Sequence, residues 1–129
     1  MKLQTVSIFV DDQQRAVDFY TGPLGFEVTA DVPMGKHRWL TVRLGDSAAA
    51  TEVSLEPKDH PAVAPFTEAL AADGIPYCVI GVDDISAEHE RLSALGVRFA
   101  QPPTDFGPVI VAVFEDTCGN LLQLAQVTS

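Results

Sequence analysis

A chain of 129 residues, 47% of them hydrophobic, is long enough to bury a substantial core and too short for two ordinary independent domains. Eighteen acidic residues against eight basic ones give a formal net charge of -10, which repels nucleic acid and anionic membrane surfaces and excludes polyanion binding as a primary role. Nine glycines and nine prolines, spread rather than clustered, fit many short elements joined by tight turns and not a disordered chain.

Residues 1–5 run directly into a strand-like pattern and hold no apolar stretch of signal-peptide or membrane-span length, so a cytoplasmic location is expected. Residues 6–12, V-S-I-F-V-D-D, read as a strand ending in a helix cap. Residues 13–21 place Ala16, Phe19 and Tyr20 on one helical face, and Leu24-Gly25 supplies a left-handed stop. Three β-rich runs follow, over residues 26–30, 38–44 and 51–56, with Gly45-Asp46-Ser47 as a turn. Val63, Phe66 and Leu70 predict a connecting helix over residues 61–73, closed by Gly74.

Residues 78–84, C-V-I-G-V-D-D, then repeat the first strand and cap at an offset of 72, which superimposes Val10-Asp11-Asp12 on Val82-Asp83-Asp84. A helix over residues 86–94, carrying Leu92 and Leu95, reaches a second Leu-Gly at Leu95-Gly96, where the offset is 71. Runs over residues 97–100, 109–114 and 121–127 predict three more strands, with Thr117-Cys118-Gly119-Asn120 as a turn and residues 101–108, rich in proline, as a stiff loop. The order βαβββ thus occurs twice: one domain, residues 1–129, is built from a module over 1–58, a helix over 61–73 and a module over 75–129. The two cysteines, Cys78 and Cys118, form no C-x-x-C pair and are read as free thiols.

Two runs carry a resemblance. V-S-I-F-V-D-D-Q-Q-R-A-V-D-F-Y-T-G-P-L-G-F over residues 6–26 is similar to the opening strand, helix and Leu-Gly-Phe turn of the vicinal oxygen chelate superfamily, which comprises glyoxalases, bleomycin resistance proteins and extradiol dioxygenases. F-E-D-T-C-G-N-L-L-Q-L over residues 114–124 resembles its closing hairpin, written Asp-Pro-x-Gly-Asn before a strand. The resemblance implies an α+β fold in which two βαβββ modules, each a curved mixed sheet, form a cavity holding the site. It also implies a homodimer, since members frequently dimerise. Function is less determined, because members include metal-dependent isomerases, dioxygenases and epimerases beside metal-free proteins that sequester drugs.

In metal-dependent relatives a histidine opens the first strand of each module, and a glutamate or histidine stands on its last strand. Counting back seven residues from Asp12 and from Asp84 gives Thr5 and Tyr77, and the last-strand positions read as Glu52 and Gln123, related by the offset of 71. The histidines are missing, and one carboxylate with an amide, a hydroxyl and a phenol makes a poor set for zinc, iron or nickel. No metal cofactor is therefore expected. The same four residues become candidate ligand contacts, with Glu52 read either as a general base or cation anchor, or as a structural carboxylate bonded to Thr5, Tyr77 or Gln123. Trp39, the only tryptophan, is either a flat platform for an aromatic or cationic ligand or a core residue. His37 stands near the expected cavity mouth or is a surface histidine; His60 precedes a proline, and His89 is expected on a solvated helix face. The leading expectation is a metal-free protein that binds a small organic molecule. The alternative is a metal-dependent lyase or dioxygenase whose ligand set has drifted, with His37 or His60 recruited and Glu52 as ligand and base.

Overall fold

The computed structural model describes residues 1–45 and 49–128, and among them lie eight strands and three helices. They fall into two compact units, residues 1–65 and residues 66–129. In the first, β1 (Thr5–Val10), α1 (Gln13–Thr21), β2 (Glu27–Met34), β3 (His37–Arg43) and β4 (Glu52–Pro57) build a sheet of order β1-β4-β3-β2. The boundary passes through α2 (Val63–Ala72). In the second, β5 (Cys78–Gly81), α3 (Ile85–Ala94), β6 (Phe99–Asp105), β7 (Val109–Glu115) and β8 (Leu121–Val127) build a sheet of order β5-β8-β7-β6. In each, the first strand runs parallel to the last and the remaining pairs are antiparallel. This is the α+β arrangement of two βαβββ modules that the repeat predicts. No helix among the described residues is long and apolar enough to cross a membrane.

The two Asp-Asp sequences act as expected. The Asp12 carboxylate accepts the Arg15 backbone N–H at 3.0 Å, and Asp84 accepts that of Ala87 at 3.0 Å, so each helix starts on an N-cap that satisfies one of its free donors. The Leu-Gly pairs end the first strand-helix segment of each unit, with φ of 74° at Gly25 and 89° at Gly96, values that L side chains resist. Alternation along the strands then sends Ile8, Val10, Leu40, Val42 and Leu55 to the helix side of the first sheet, where they are buried with Ala16, Phe19 and Tyr20 of α1. The second unit buries Ile85 and Leu92 of α3 together with Ala112, Phe114, Leu122 and Leu124.

A glutamine stitches each helix start to its sheet. Gln13 donates from Nε2 to the carbonyls of Arg38 (2.8 Å) and Leu55 (2.9 Å) and accepts the Arg38 N–H at Oε1 (3.0 Å), so one side chain ties α1 to both β3 and β4. In the second unit the direction reverses, and Gln126 of β8 accepts the Ile85 N–H at 2.8 Å. Arg38 adds a two-pronged pair to Asp31 across β2 and β3, at 3.0 and 2.7 Å, and the Arg38 guanidinium holds the Asp31 carboxyl below the usual carboxylate range.

Several sequence expectations are corrected. Residues 101–105 are not loop but part of β6; this strand is the edge of its sheet, where Pro102 and Pro103 need donate no ladder hydrogen bond, and its pairing to β7 shifts register between Gln101 and Thr104. The turn narrows to Phe106, Gly107 and Pro108, closed by the Phe106 N–H to the Val109 carbonyl at 2.9 Å. Leu95, expected on the buried face of the second helix, is its C-cap and is 57% exposed. His89 is not simply solvated, for its ring meets Phe99 edge-on at 4.5 Å. Of the turn expected at Gly45-Asp46-Ser47, Asp46 and Ser47 lie outside the described residues.

The closing hairpin departs from the family pattern at one backbone angle. Thr117, where the pattern writes proline, has φ of 66°, which a proline ring forbids. Buried Asp116 holds this turn, its carboxylate accepting the backbone N–H of Cys118 (2.8 Å) and of Asn120 (3.0 Å) and the Asn120 side-chain amide (3.0 Å). Both cysteines are free, Cys118 fully buried and Cys78 partly so. Burial, reinforced by the negative charge of Asp116, pushes the Cys78 thiol up, because its thiolate would be poorly solvated and repelled.

Two outcomes follow from this packing. Gln13→Ala lowers unfolding free energy by roughly 2 kcal/mol, since three backbone groups lose their partner, whereas Gln14→Ala on the exposed side of the same turn changes it by no more than about 0.5 kcal/mol. Equal losses in urea melts of the two variants would contradict the stitching role. Iodoacetamide at pH 8 modifies the folded protein at least about tenfold more slowly than it modifies free cysteine, with the rate climbing as pH rises further, because the raised thiol is still protonated. Rapid alkylation of either thiol in the native protein, followed by mass spectrometry, would show that the burial is wrong.

Candidate functional site

Because side chains alternate along a strand, the face of the first sheet opposite α1 is fixed once Ile8, Val10, Leu40, Val42 and Leu55 are assigned to the core. The strand registers then arrange that open face in rungs. Thr5 stands beside Glu52, and continuing the Thr41↔Ser54 and Val42↔Val53 register by one residue sets Arg43 across from Glu52, with Glu27 beyond it. The next rung is Ser7, Ser54 and Thr41, where the Thr41 and Thr29 hydroxyls share a hydrogen bond of 2.6 Å. The third holds Phe9 beside Glu56, with Trp39 beside Val32 on the neighbouring strands. Ser7 donates its hydroxyl to Glu56 between these rungs. His37 and Met34 pair at the end of β3 and β2.

Four of the residues singled out by sequence therefore share one face: Thr5 and Glu52 as direct strand neighbours, and His37 and Trp39 further along. Trp39 is not in the core; it is 42% exposed, and Val32 and Met34 beside it are exposed as well. His37 Nε2 approaches Asp59 to 2.5 Å without an aligned hydrogen bond. The sequence reading missed Ser54 and Arg43. The Ser54 hydroxyl is 1% exposed and has no hydrogen-bond partner, and the Arg43 Nε is buried and equally unpartnered.

Tyr77 and Gln123 belong to the second unit. The Tyr77 N–H donates to the Leu121 carbonyl at 2.7 Å, and Gln123 pairs with Val79 on one side and Val113 on the other. Both lie on the open face of that sheet, whose rungs set Gln101 beside Val113 and Gln123, Thr104 beside Val111 and Ala125, Glu115 beside Leu121, and Val109 beside Val127.

These registers revise the internal alignment. Ser54 sits between Ser7 and Thr41, and Gln123 sits between Val79 and Val113; both flanking pairs are related by the offset of 72. Ser54, not Glu52, therefore holds in the first unit the place that Gln123 holds in the second. The slip arose because the last strand of each unit is offset by 69, not 71, a difference hidden in the preceding turn. With Ser54 in that place, the positions matched to the family's metal ligands are two hydroxyls, a phenol and an amide. Such neutral oxygens neither compensate a divalent charge nor supply the donor strength of imidazole, thiolate or carboxylate, so they do not fit zinc, iron or nickel. Among the described residues, no three or more His, Cys, Asp or Glu side chains gather into a metal-binding group.

A separate concavity of about 480 Å³ lies within the second unit, lined by Arg98, Glu115, Thr117, Asn120 and Leu121 with Ala71 of α2. Arg98 and Glu115 approach to 3.5 Å across it and are largely exposed. It contains none of the six residues proposed from sequence.

Comparison with known proteins gives the context for this geometry. The family model described as "Glyoxalase/Bleomycin resistance protein/Dioxygenase superfamily" matches residues 2–124. The uncharacterized protein YurT of Bacillus subtilis (strain 168) is 48% identical over 126 residues, covering 98% of this chain and 99% of that one. Among solved structures, UcmS2 is 37% identical with a TM-score of 0.82, covering 97% of each chain. TnmS3, an antibiotic binding protein from Streptomyces sp. CB03234, is 30% identical with a TM-score of 0.79, covering 99% of this chain and 97% of that one. The chain belongs to the glyoxalase/bleomycin resistance protein/dioxygenase superfamily.

Proposed function

We propose that this protein binds a small organic molecule on the open face of its first sheet, and does so without a metal ion. The observation that carries this reading is Trp39: a large indole left 42% exposed, next to exposed Val32 and Met34, on a face whose adjoining rung is the hydroxyls of Ser7, Ser54 and Thr41. Leaving that much contiguous apolar surface in water is unfavourable, and flat aromatic surface bordered by a few polar groups is what a planar ligand requires. Ser54 adds a buried hydroxyl able to donate to or accept from a ligand at little further desolvation cost. Thr5, Glu52 and His37 border the same face and are proposed contacts. Tyr77 and Gln123, on the open face of the second sheet, are proposed ligand contacts of that unit taken by itself. The likeness to TnmS3, described as an antibiotic binding protein, supports small-molecule binding, and the neutral donors at the matched metal positions support doing it metal-free.

A titration of planar aromatic compounds against Trp39 fluorescence tests this, run in parallel with thermal melting and repeated after exhaustive dialysis against EDTA. A bound ligand quenches the indole; at about 100 times its dissociation constant it adds about 2.7 kcal/mol to stability and raises the midpoint by roughly 10 °C. Chelation leaves both effects unchanged. Binding that appears only when zinc, nickel, iron or manganese is restored would reverse the proposal, as would a broad panel that moves neither signal.

A further inference from the structure

The first unit contains a cation that no described residue pairs with. Among the described residues, Arg38 pairs with Asp31, Lys58 with Asp11, Arg91 with Glu88 and Arg98 with Glu115. Lys2, Arg15 and Lys36 are exposed and solvated by water. Arg43 is different: it is half-buried, forms no ion pair, and its Nε is sequestered from water with no acceptor. In a chain with 18 acidic residues this is not for want of carboxylates. Glu52 and Glu27 occupy the same rung as Arg43 on either side, yet Arg43 is in none of the ion pairs of the described residues. A buried guanidinium N–H without an acceptor is a cost to the fold, and one that an acceptor arriving from outside would remove.

The position of Arg43 defines what that acceptor belongs to. Trp39, Thr41 and Arg43 alternate onto the open face of one strand, so the Cα atoms of Trp39 and Arg43 lie about 13 Å apart along β3. The hydroxyls of Thr41 and Ser54 stand between them. We propose that Arg43 anchors a carboxylate of the ligand, so that the molecule bound on this face is an aromatic acid whose ring system covers Trp39 while its acid group reaches Arg43. Guanidinium and carboxylate match as planar partners, and the charge-assisted hydrogen bond to Nε supplies the missing acceptor. This inference rests on the small-molecule reading above and narrows it from aromatic compounds in general to anionic ones.

The test uses three probes that share one ring system and differ in one group: pyrenebutyric acid, its methyl ester, and pyrenebutylamine. Each is titrated against Trp39 emission in the wild type, Arg43→Gln and Arg43→Lys, with melting curves of the free proteins. The wild type is expected to bind the acid at least about tenfold more tightly than the ester, the size of one charge-assisted hydrogen bond. Arg43→Gln removes that preference while leaving the ester's affinity unchanged, and Arg43→Lys keeps part of it. The free Arg43→Gln protein melts at or above the wild-type temperature, because the unsatisfied charge is gone. Equal affinity for acid and ester, tightest binding of the amine, or a parallel loss of both acid and ester in Arg43→Gln would overturn the anchor while leaving small-molecule binding intact. An Arg43→Gln protein that melts well below the wild type would show that Arg43 serves the fold instead. Failure of all three probes to perturb Trp39 or the melting temperature would remove the ligand-binding reading of this face, and the anchor with it.

Discussion

The parallel hydrogen bonding of the first strand to the last in each unit is the constraint on which the rest depends. It places β1 beside β4 and β5 beside β8, so that strands far apart in sequence share rungs. The helix that follows the first strand covers one side of the sheet, fixed there by Asp12 and Gln13 in one unit and by Asp84 and Gln126 in the other. Once that side is filled with Val10, Leu40 and Leu55, or with Leu122, Phe114 and Ala112, the period of two in a strand leaves no freedom in which residues occupy the opposite face. A one-residue slip in β4 would bury Ser54 and Glu56 against α1 and turn Leu55 outward.

On this shared scaffold the two units have diverged in chemistry. The first sheet's open face carries hydroxyls, carboxylates, a tryptophan and an arginine that forms no ion pair among the described residues, whereas the second carries Val109, Val111, Val113, Ala125 and Val127 beside Gln101, Thr104, Glu115 and Gln123. The two units share the elements that define the fold, namely the caps, the Leu-Gly turns and the helix-side core. The open faces, which do not contribute to the core, were free to change. The same holds at the positions matched to the family's metal ligands: Thr5 and Ser54 in the first unit, and Tyr77 and Gln123 in the second, offer oxygen at each place but no charge, which makes them poor partners for a divalent cation.

Much of the architecture was legible in the residues because local physics determines it. Helix α1 begins where Asp12 predicts and spans residues 13–21 as read, although its C-cap is Gly22 and the left-handed Gly25 lies beyond it, and β8 begins after Asn120 and runs to Val127 as its apolar pattern indicates. The extent of β6 was not legible, since two prolines argue against a strand unless the strand is known to be an edge, and edge position is set by pairing. Leu95 looked like core by spacing alone, but the helix ends there and the side chain turns outward. On the open face of the first sheet, Thr5 and Glu52 were singled out by the resemblance and its residue count, and His37 and Trp39 by residue type and place in the chain. Ser54 and Arg43 were not, because a serine and an arginine on a strand carry no signal in sequence; their meaning lies in lost hydrogen bonds that only packing reveals.

Chemical-shift mapping by heteronuclear NMR, with an aromatic acid added to uniformly labelled protein in EDTA, examines the central claim most directly because it reports every backbone amide at once. A metal-free ligand site on the first sheet predicts saturable shifts at Thr5, Ser7, Trp39, Thr41, Arg43 and Ser54, with Arg98, Glu115 and Thr117 around the second unit's concavity unmoved. Shifts centred on Arg98, Glu115 and Thr117, or shifts that appear only after a divalent metal is restored, would contradict it.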